Sequence, residues 1–208
     1  DGSDPRMPTA TAYVEPSLIT QSTLVKARQH ANGVWSALTE ARFHRDGQPG
    51  AIQLTEIMYN PPDGTVHDTD DRGSDLYEFL ELHNVGGDEV DLSLAYFEGI
   101  RFIFPAYTTL PSGQKMVLIK DFRAFRQRYP TADFHGIYEG KLSNRGETIT
   151  LRDRNGTLLA SVAYDNANGW PLSADGRGDS IVRVDPAGSA DDPLNWRASA
   201  QLFGNPGE

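Results

Sequence analysis

Five histidines, His30, His44, His67, His83 and His135, are the first candidates for metal binding or proton transfer. No two of them fall at i,i+2 or i,i+4, the spacings that put paired ligands on one face of a strand or a zinc-binding helix. A zinc enzyme is therefore not expected. The acidic stretch VHDTDDRGSDLYE is more suggestive, because Asp68, Asp70, Asp71 and Asp75 gather hard oxygen ligands of the kind calcium takes. An EF-hand register begun at Asp68 puts Gly73 at the turn, but Arg72 and Phe79 then occupy ligand positions. The expected state of Asp68 to Asp75 is a solvated loop, with calcium binding as the alternative. Glu56, Glu78 and Glu81 could in principle do acid/base work, yet nothing around them signals a pocket that would separate their pKa values. They read as polar residues on the outer face of a sheet.

Other chemistry finds less support. GIYEGKLS holds a Gly-Lys step, but its glycine spacing is too short for a phosphate loop, and no G-x-S-x-G elbow is present. Arg177-Gly178-Asp179-Ser180 spells a short adhesion tetrapeptide of the sort that recurs by chance. With no cysteine, disulfides, thiol catalysis and thiolate metal sites are excluded. A net charge of -10 argues against nucleic acid or anionic lipid as a partner, since phosphate binding needs a basic surface. No apolar run approaches the length of a membrane span. No catalytic residue, no cofactor and no metal is expected.

The elements that would carry these residues are strands. Ile52, Leu54, Glu56 and Met58 alternate along one segment, and Phe79 alternates with Tyr77 or Glu81 along a second. Pro61-Pro62 and Asp63-Gly64 end the first. Further strands are expected over Val90 to Phe97, Ile100 to Phe104, the KMVLIK run, Gly136 to Leu142, Glu147 to Arg152 and Leu158 to Tyr164. Asn155-Gly156 turns the last pair, and Ser180 to Val184 adds one more. One helix is expected, from an Asp121 cap to Tyr129, with Phe122, Phe125 and Tyr129 on one face and Pro130 as its stop. Its Arg123, Arg126 and Arg128 read as a solvated face. Strands at this spacing, with a single helix, point to an antiparallel β-sandwich.

Upstream, Thr11 to Val14, Thr23 to Gln29 and Ala37 to Phe43 read as short strands, with a hairpin turn at Asn32-Gly33. Trp35 reads as a packing aromatic. HRDGQPG, residues 44–50, is polar and turn-rich, as a linker would be. Trp170 and Trp196 are expected to pin residues 166–208 onto the sandwich. The opening DGSDPRMPT has neither a basic start nor an apolar core and reads as an interior piece of a longer polypeptide.

The ordered series LTEIMYNPPDG, YEFLELHN, VDLS, FIFP, LPSGQ and YEGKLSNRGETITLRDRNGTLLASVAYD resembles the lamin tail domain family from end to end. That resemblance implies an all-β, immunoglobulin-like module over residues 51–165 that serves as a structural or binding element without an active site. Residues 1–46, through DGSDPR, TLVKAR and WSALTEARF, resemble part of the small C-terminal domain of chitobiases and β-hexosaminidases, with 47–50 as linker. WP followed by ADGRGDS is similar to the extension that trails the module in bacterial secreted multidomain proteins. The expected role is a non-catalytic spacer, anchor or binding element of a larger secreted or cell-surface bacterial protein, its partner a protein or a surface polymer. The alternative is a carbohydrate-binding accessory module.

Overall fold

The computed structural model describes residues 4–7, 10–20, 23–43, 49–62 and 73–208. Its contacts divide the chain into two compact units, Asp1–Asp46 and Gly47–Glu208.

In the first unit, β1 (Thr23–Ala27), β2 (His30–Ala31), β3 (Val34–Trp35) and β4 (Thr39–Phe43) form two antiparallel pairs, β1 with β4 and β2 with β3. Asn32 and Gly33 take φ of 50° and 76°, the left-handed pair that a two-residue hairpin turn requires. Trp35 stacks on His30 with ring centroids 4.5 Å apart. Thr11 to Val14 does not form the expected strand and stays exposed. Alternation in a four-residue stretch is too little when no neighbouring strand takes up its backbone donors and acceptors.

The second unit is a sandwich. Its strands are β5 (Ile52–Met58), β6 (Phe79–Asn84), β7 (Val90–Asp91), β8 (Tyr96–Glu98), β9 (Thr109–Leu110), β10 (Lys115–Ile119), β11 (Gly136–Ile137), β12 (Glu147–Arg152), β13 (Leu158–Tyr164), β14 (Ile181–Arg183) and β15 (Trp196–Ala198). One sheet has the order β11-β10-β6-β5-β14-β15, and facing it is β13-β12-β8. All pairs are antiparallel except the short β10 and β11 contact. Between the sheets lie Leu54, Ile57, Leu80, Leu82, Phe104, Ile149, Leu151 and Val162, together with Trp170 and Trp196, whose rings approach to 5.7 Å. The two tryptophans thus seal the C-terminal stretch against the core, as their size suggested.

A bulge reorganises β5. Pairing with β6 runs Leu54 to Leu82, then jumps to Glu56 opposite Glu81, leaving Thr55 as the extra residue. One extra residue inverts the side-chain alternation beyond it. Ile52 and Leu54 therefore share the inner face with Ile57 and Tyr59, whereas Glu56 and Met58 turn to the outer face. The expectation that Ile52, Leu54, Glu56 and Met58 lie on one side is corrected accordingly.

That outer face is itself covered. Helix α1 (Phe122–Arg128) lays Phe125, with Tyr129 just beyond its end, over Met58, Phe79, Val117 and Ile119, and Phe79 meets Tyr129 edge-on at 5.6 Å. Asp121 caps the helix, its Oδ1 accepting from the backbone N–H of Arg123 and Ala124 at 2.9 and 3.0 Å. Three other expected strands are shorter. Val90 to Phe97 is broken by a turn in which Asp91 Oδ1 accepts from Ser93 N and Ala95 N bonds Leu92 O. Ile100 to Phe104 makes only isolated bridges, although Ile100 and Phe104 do face the core. Gly136 to Leu142 contributes just the two residues of β11, because Tyr138 and Leu142 leave the sheet to meet Glu78.

Candidate functional site

The bulge and the sheet order bring three carboxylates to buried positions, where the sequence suggested an exposed polar face. Glu56, Glu78 and Glu81 are each no more than 2% exposed. A buried carboxylate is costly unless its oxygens are bonded, so their partners define what the site does.

Glu56 and Glu81 sit opposite one another on β5 and β6. Glu56 Oε1 accepts from the Ser180 hydroxyl at 2.5 Å and from Asn205 N at 3.0 Å. Glu81 Oε1 accepts from the Thr55 hydroxyl at 2.6 Å and lies 3.0 Å from the Lys115 ammonium, while its Oε2 accepts from Gly207 N at 2.8 Å. The bulged Thr55 therefore has a role of its own: its extra position aims the hydroxyl at Glu81. Burial, which disfavours the charged form, pushes the Glu56 carboxyl up to about 7, against the two hydrogen bonds that favour ionisation.

Glu78 stands just before β6. Its Oε2 accepts from the Tyr138 hydroxyl at 2.8 Å and Leu142 N at 3.0 Å, and Oε1 has no hydrogen-bond partner. Burial raises this carboxyl to about 8, so it is mostly protonated at neutral pH. The same contact, with burial as the larger cause, raises the Tyr138 hydroxyl well above its ordinary value.

The segment that covers Glu56 and Glu81 is the chain's own C-terminal stretch, Phe203 to Glu208. The Tyr129 hydroxyl donates to Phe203 O and the Lys115 ammonium to Glu208 O. Phe203 packs on the outer-face cluster with the Arg128 guanidinium 4.7 Å from its ring centroid. Gly204 is at φ 83°, and a Cβ there would overlap Glu56 Oε1 and stand 2.8 Å from Ser180 Oγ. Only glycine permits this approach.

Other sequence candidates fall differently. Arg126 and Arg128 are not a solvated face: Arg126 bonds Ala132 O at 2.7 Å, and Arg128 stacks at 3.6 Å on Tyr77 and bonds Pro62 O. Their planar, weakly hydrated heads suit aromatic contacts. In the tetrapeptide from Arg177 to Ser180, Gly178 O accepts from Phe203 N and Ser180 is fully buried, so the string is part of the seat for the tail. Asp68, Asp70 and Asp71 of the possible calcium loop lie outside the described residues, as do His44 and His67. Asp75 Oδ2 accepts from Lys141 Nζ at 3.3 Å. Among the described residues no group of three or more His, Cys, Asp or Glu is arranged to hold a metal ion. Nor is any described helix long and apolar enough to cross a membrane.

Sequence reasoning missed Thr55, Lys115, Ser180 and the backbone of Asn205 and Gly207 as partners of the carboxylates. The only local signal was the glycine-rich FGNPGE ending, which fits neither strand nor helix period. Two sheets face to face, mostly of antiparallel strands and with a single short helix, make an all-β, immunoglobulin-like module. The model of the Lamin Tail Domain family matches residues 46–166, and the chain belongs to that family. No curated protein matches the chain.

Proposed function

We propose that the chain is an interaction module of a larger secreted or cell-surface bacterial protein, serving there as spacer, anchor or binding element. The observation that carries this reading is an apolar patch on two loops bonded to one another. Leu94 N donates to Phe104 O and Leu92 N to Thr108 O, and on these loops Leu94, Ile103 and Tyr107 are 49%, 63% and 68% exposed. Leu94 and Tyr107 take φ of 60° and 68°, a costly backbone for residues other than glycine. Strain used to hold large apolar side chains in water fits a surface meant for a protein or polymer partner. The resemblance of residues 1–46 to part of a chitobiase-type domain supports a setting in a polysaccharide-active polypeptide.

Deleting residues 47–208 from the full-length polypeptide tests the reading. Surface retention should fall while the turnover of any neighbouring catalytic domain is kept; unchanged retention would refute it. Exposed Tyr107 and Trp35 favour a second reading, carbohydrate binding. Retention on chitin or cellulose, lost in Tyr107→Ala or Trp35→Ala, would replace the first reading with this one.

A further inference from the structure

We propose that the outer face of the large sheet is a peptide-docking groove, occupied in this chain by its own residues 203–208. Its occupant in trans is an extended peptide from a partner protein, bearing an aromatic residue followed by glycine and then a Pro-Gly step. The inference rests on the interaction reading above and gives it a second site, separate from the Leu94 and Tyr107 patch.

The tail is held as a ligand is held. β14 and β15 exchange backbone bonds with their neighbours, but Phe203 to Glu208 lies across strands without joining a ladder. The amides of Asn205 and Gly207, two residues apart, each donate to a carboxylate that projects from the sheet. The carbonyls of Phe203 and Glu208 each accept from a side chain, Tyr129 at one end and Lys115 at the other. Phe203 fills the apolar end, and Gly204 allows the backbone close approach. Such a set of contacts reads backbone direction, one aromatic and one glycine, the information a peptide groove recognises. A cleft of about 600 Å³ adjoins this seat along Lys115, Val117, Thr131, Asp133 and His135, with Pro206 and Gly207 forming part of its wall.

Covering Glu56 makes the seat proton-sensitive. Closing the groove desolvates Glu56, so closure takes up a proton and loosens as pH rises through about 7. The charged groups nearest the pair are Lys115 on β10 and the tail's Glu208, with His83 following Glu81 on β6 and Arg183 on β14 bonded to Gln53.

The test is binding of a labelled synthetic peptide with the sequence of residues 201–208, followed by fluorescence anisotropy. Gly204→Val unseats the resident tail and should bind the peptide at least tenfold more tightly than the intact chain does. Affinity should weaken roughly tenfold between pH 5.5 and 8.5. Glu56→Gln placed in the Gly204→Val background should abolish that dependence while binding persists, and His83→Gln should leave it in place. Equal affinity of the intact and Gly204→Val proteins, or no binding by either, would overturn the proposal. So would a concentration-dependent dimer that the peptide cannot dissociate, since the occupant would then be a second copy. Should Gly204→Val not fold, hydrogen exchange on the intact chain decides: the amides of Asn205 and Gly207 should exchange at least a hundredfold faster than those of β5 and β6, and equal protection overturns the proposal. Failure here leaves surface retention by residues 47–208 unaffected, so the two readings fail separately.

Discussion

Glu78→Gln should make the protein more stable than the wild type at alkaline pH and leave it about equal at pH 4 to 5. The carboxyl is fully buried, and burial lifts it from its ordinary 4.5 to about 8. A group whose folded pKa is raised contributes stability that is fully present below the unfolded value and is lost as pH rises through the folded one. At about 1.4 kcal/mol per tenfold, a change from 4.5 to about 8 corresponds to an order-of-magnitude loss of 3–5 kcal/mol between pH 4.5 and pH 8. Glutamine keeps an oxygen for the Tyr138 hydroxyl and Leu142 N, and its NH2 takes the place of Oε1, which has no partner in the wild type either. It therefore resembles the protonated acid and cannot ionise. Urea unfolding followed by circular dichroism at pH 5, 7 and 9 measures this directly. The wild-type midpoint should fall with pH, and the variant's should fall less by the amount assigned to Glu78, the remaining slope belonging in part to Glu56. Parallel midpoints for the two proteins across that range would refute the assignment of a buried, neutral carboxyl.

Three further outcomes follow from the same contacts. Tyr138→Phe removes a hydrogen bond that favours the charged form of Glu78 and should raise its pKa further, seen as a shift of its carboxyl carbon titration by NMR. Trp196→Ala empties a core position and takes away the donor to Ala190 O; unfolding free energy should drop by about 3–5 kcal/mol in denaturant titration. Asp121→Ala leaves two helix N–H groups uncapped and should cost about 1 kcal/mol by the same assay.

Much of the sandwich was legible because its cues are local. KMVLIK is a strand buried on both sides, Asn155-Gly156 turns β12 into β13, and the Asp121 cap marks the helix, all within a few residues of chain, although Phe122 stays exposed while Phe125 and Tyr129 are buried. What failed were statements about faces and partners. The alternation of Ile52, Leu54, Glu56 and Met58 was read without the bulge at Thr55, and a bulge is defined by the partner strand, which contributes one residue where β5 contributes two. Arg128 looked solvated because Tyr77 and Phe203, its aromatic partners, are 51 and 75 residues away in the chain, whereas Arg123 is exposed as expected.

The sequence by itself determined an all-β chain, free of thiol chemistry and acidic overall, because strand period, turn residues and composition are properties of neighbouring residues, and its ordered motifs carried the resemblance to the lamin tail family. Only the tertiary structure decided that Glu56, Glu78 and Glu81 are buried, what bonds them, and that the last six residues lie over two of them. Glu56 meets Ser180 across 124 positions and Asn205 across 149. The environment of a carboxylate is set by whatever the fold brings beside it, and no window of adjacent residues contains that information.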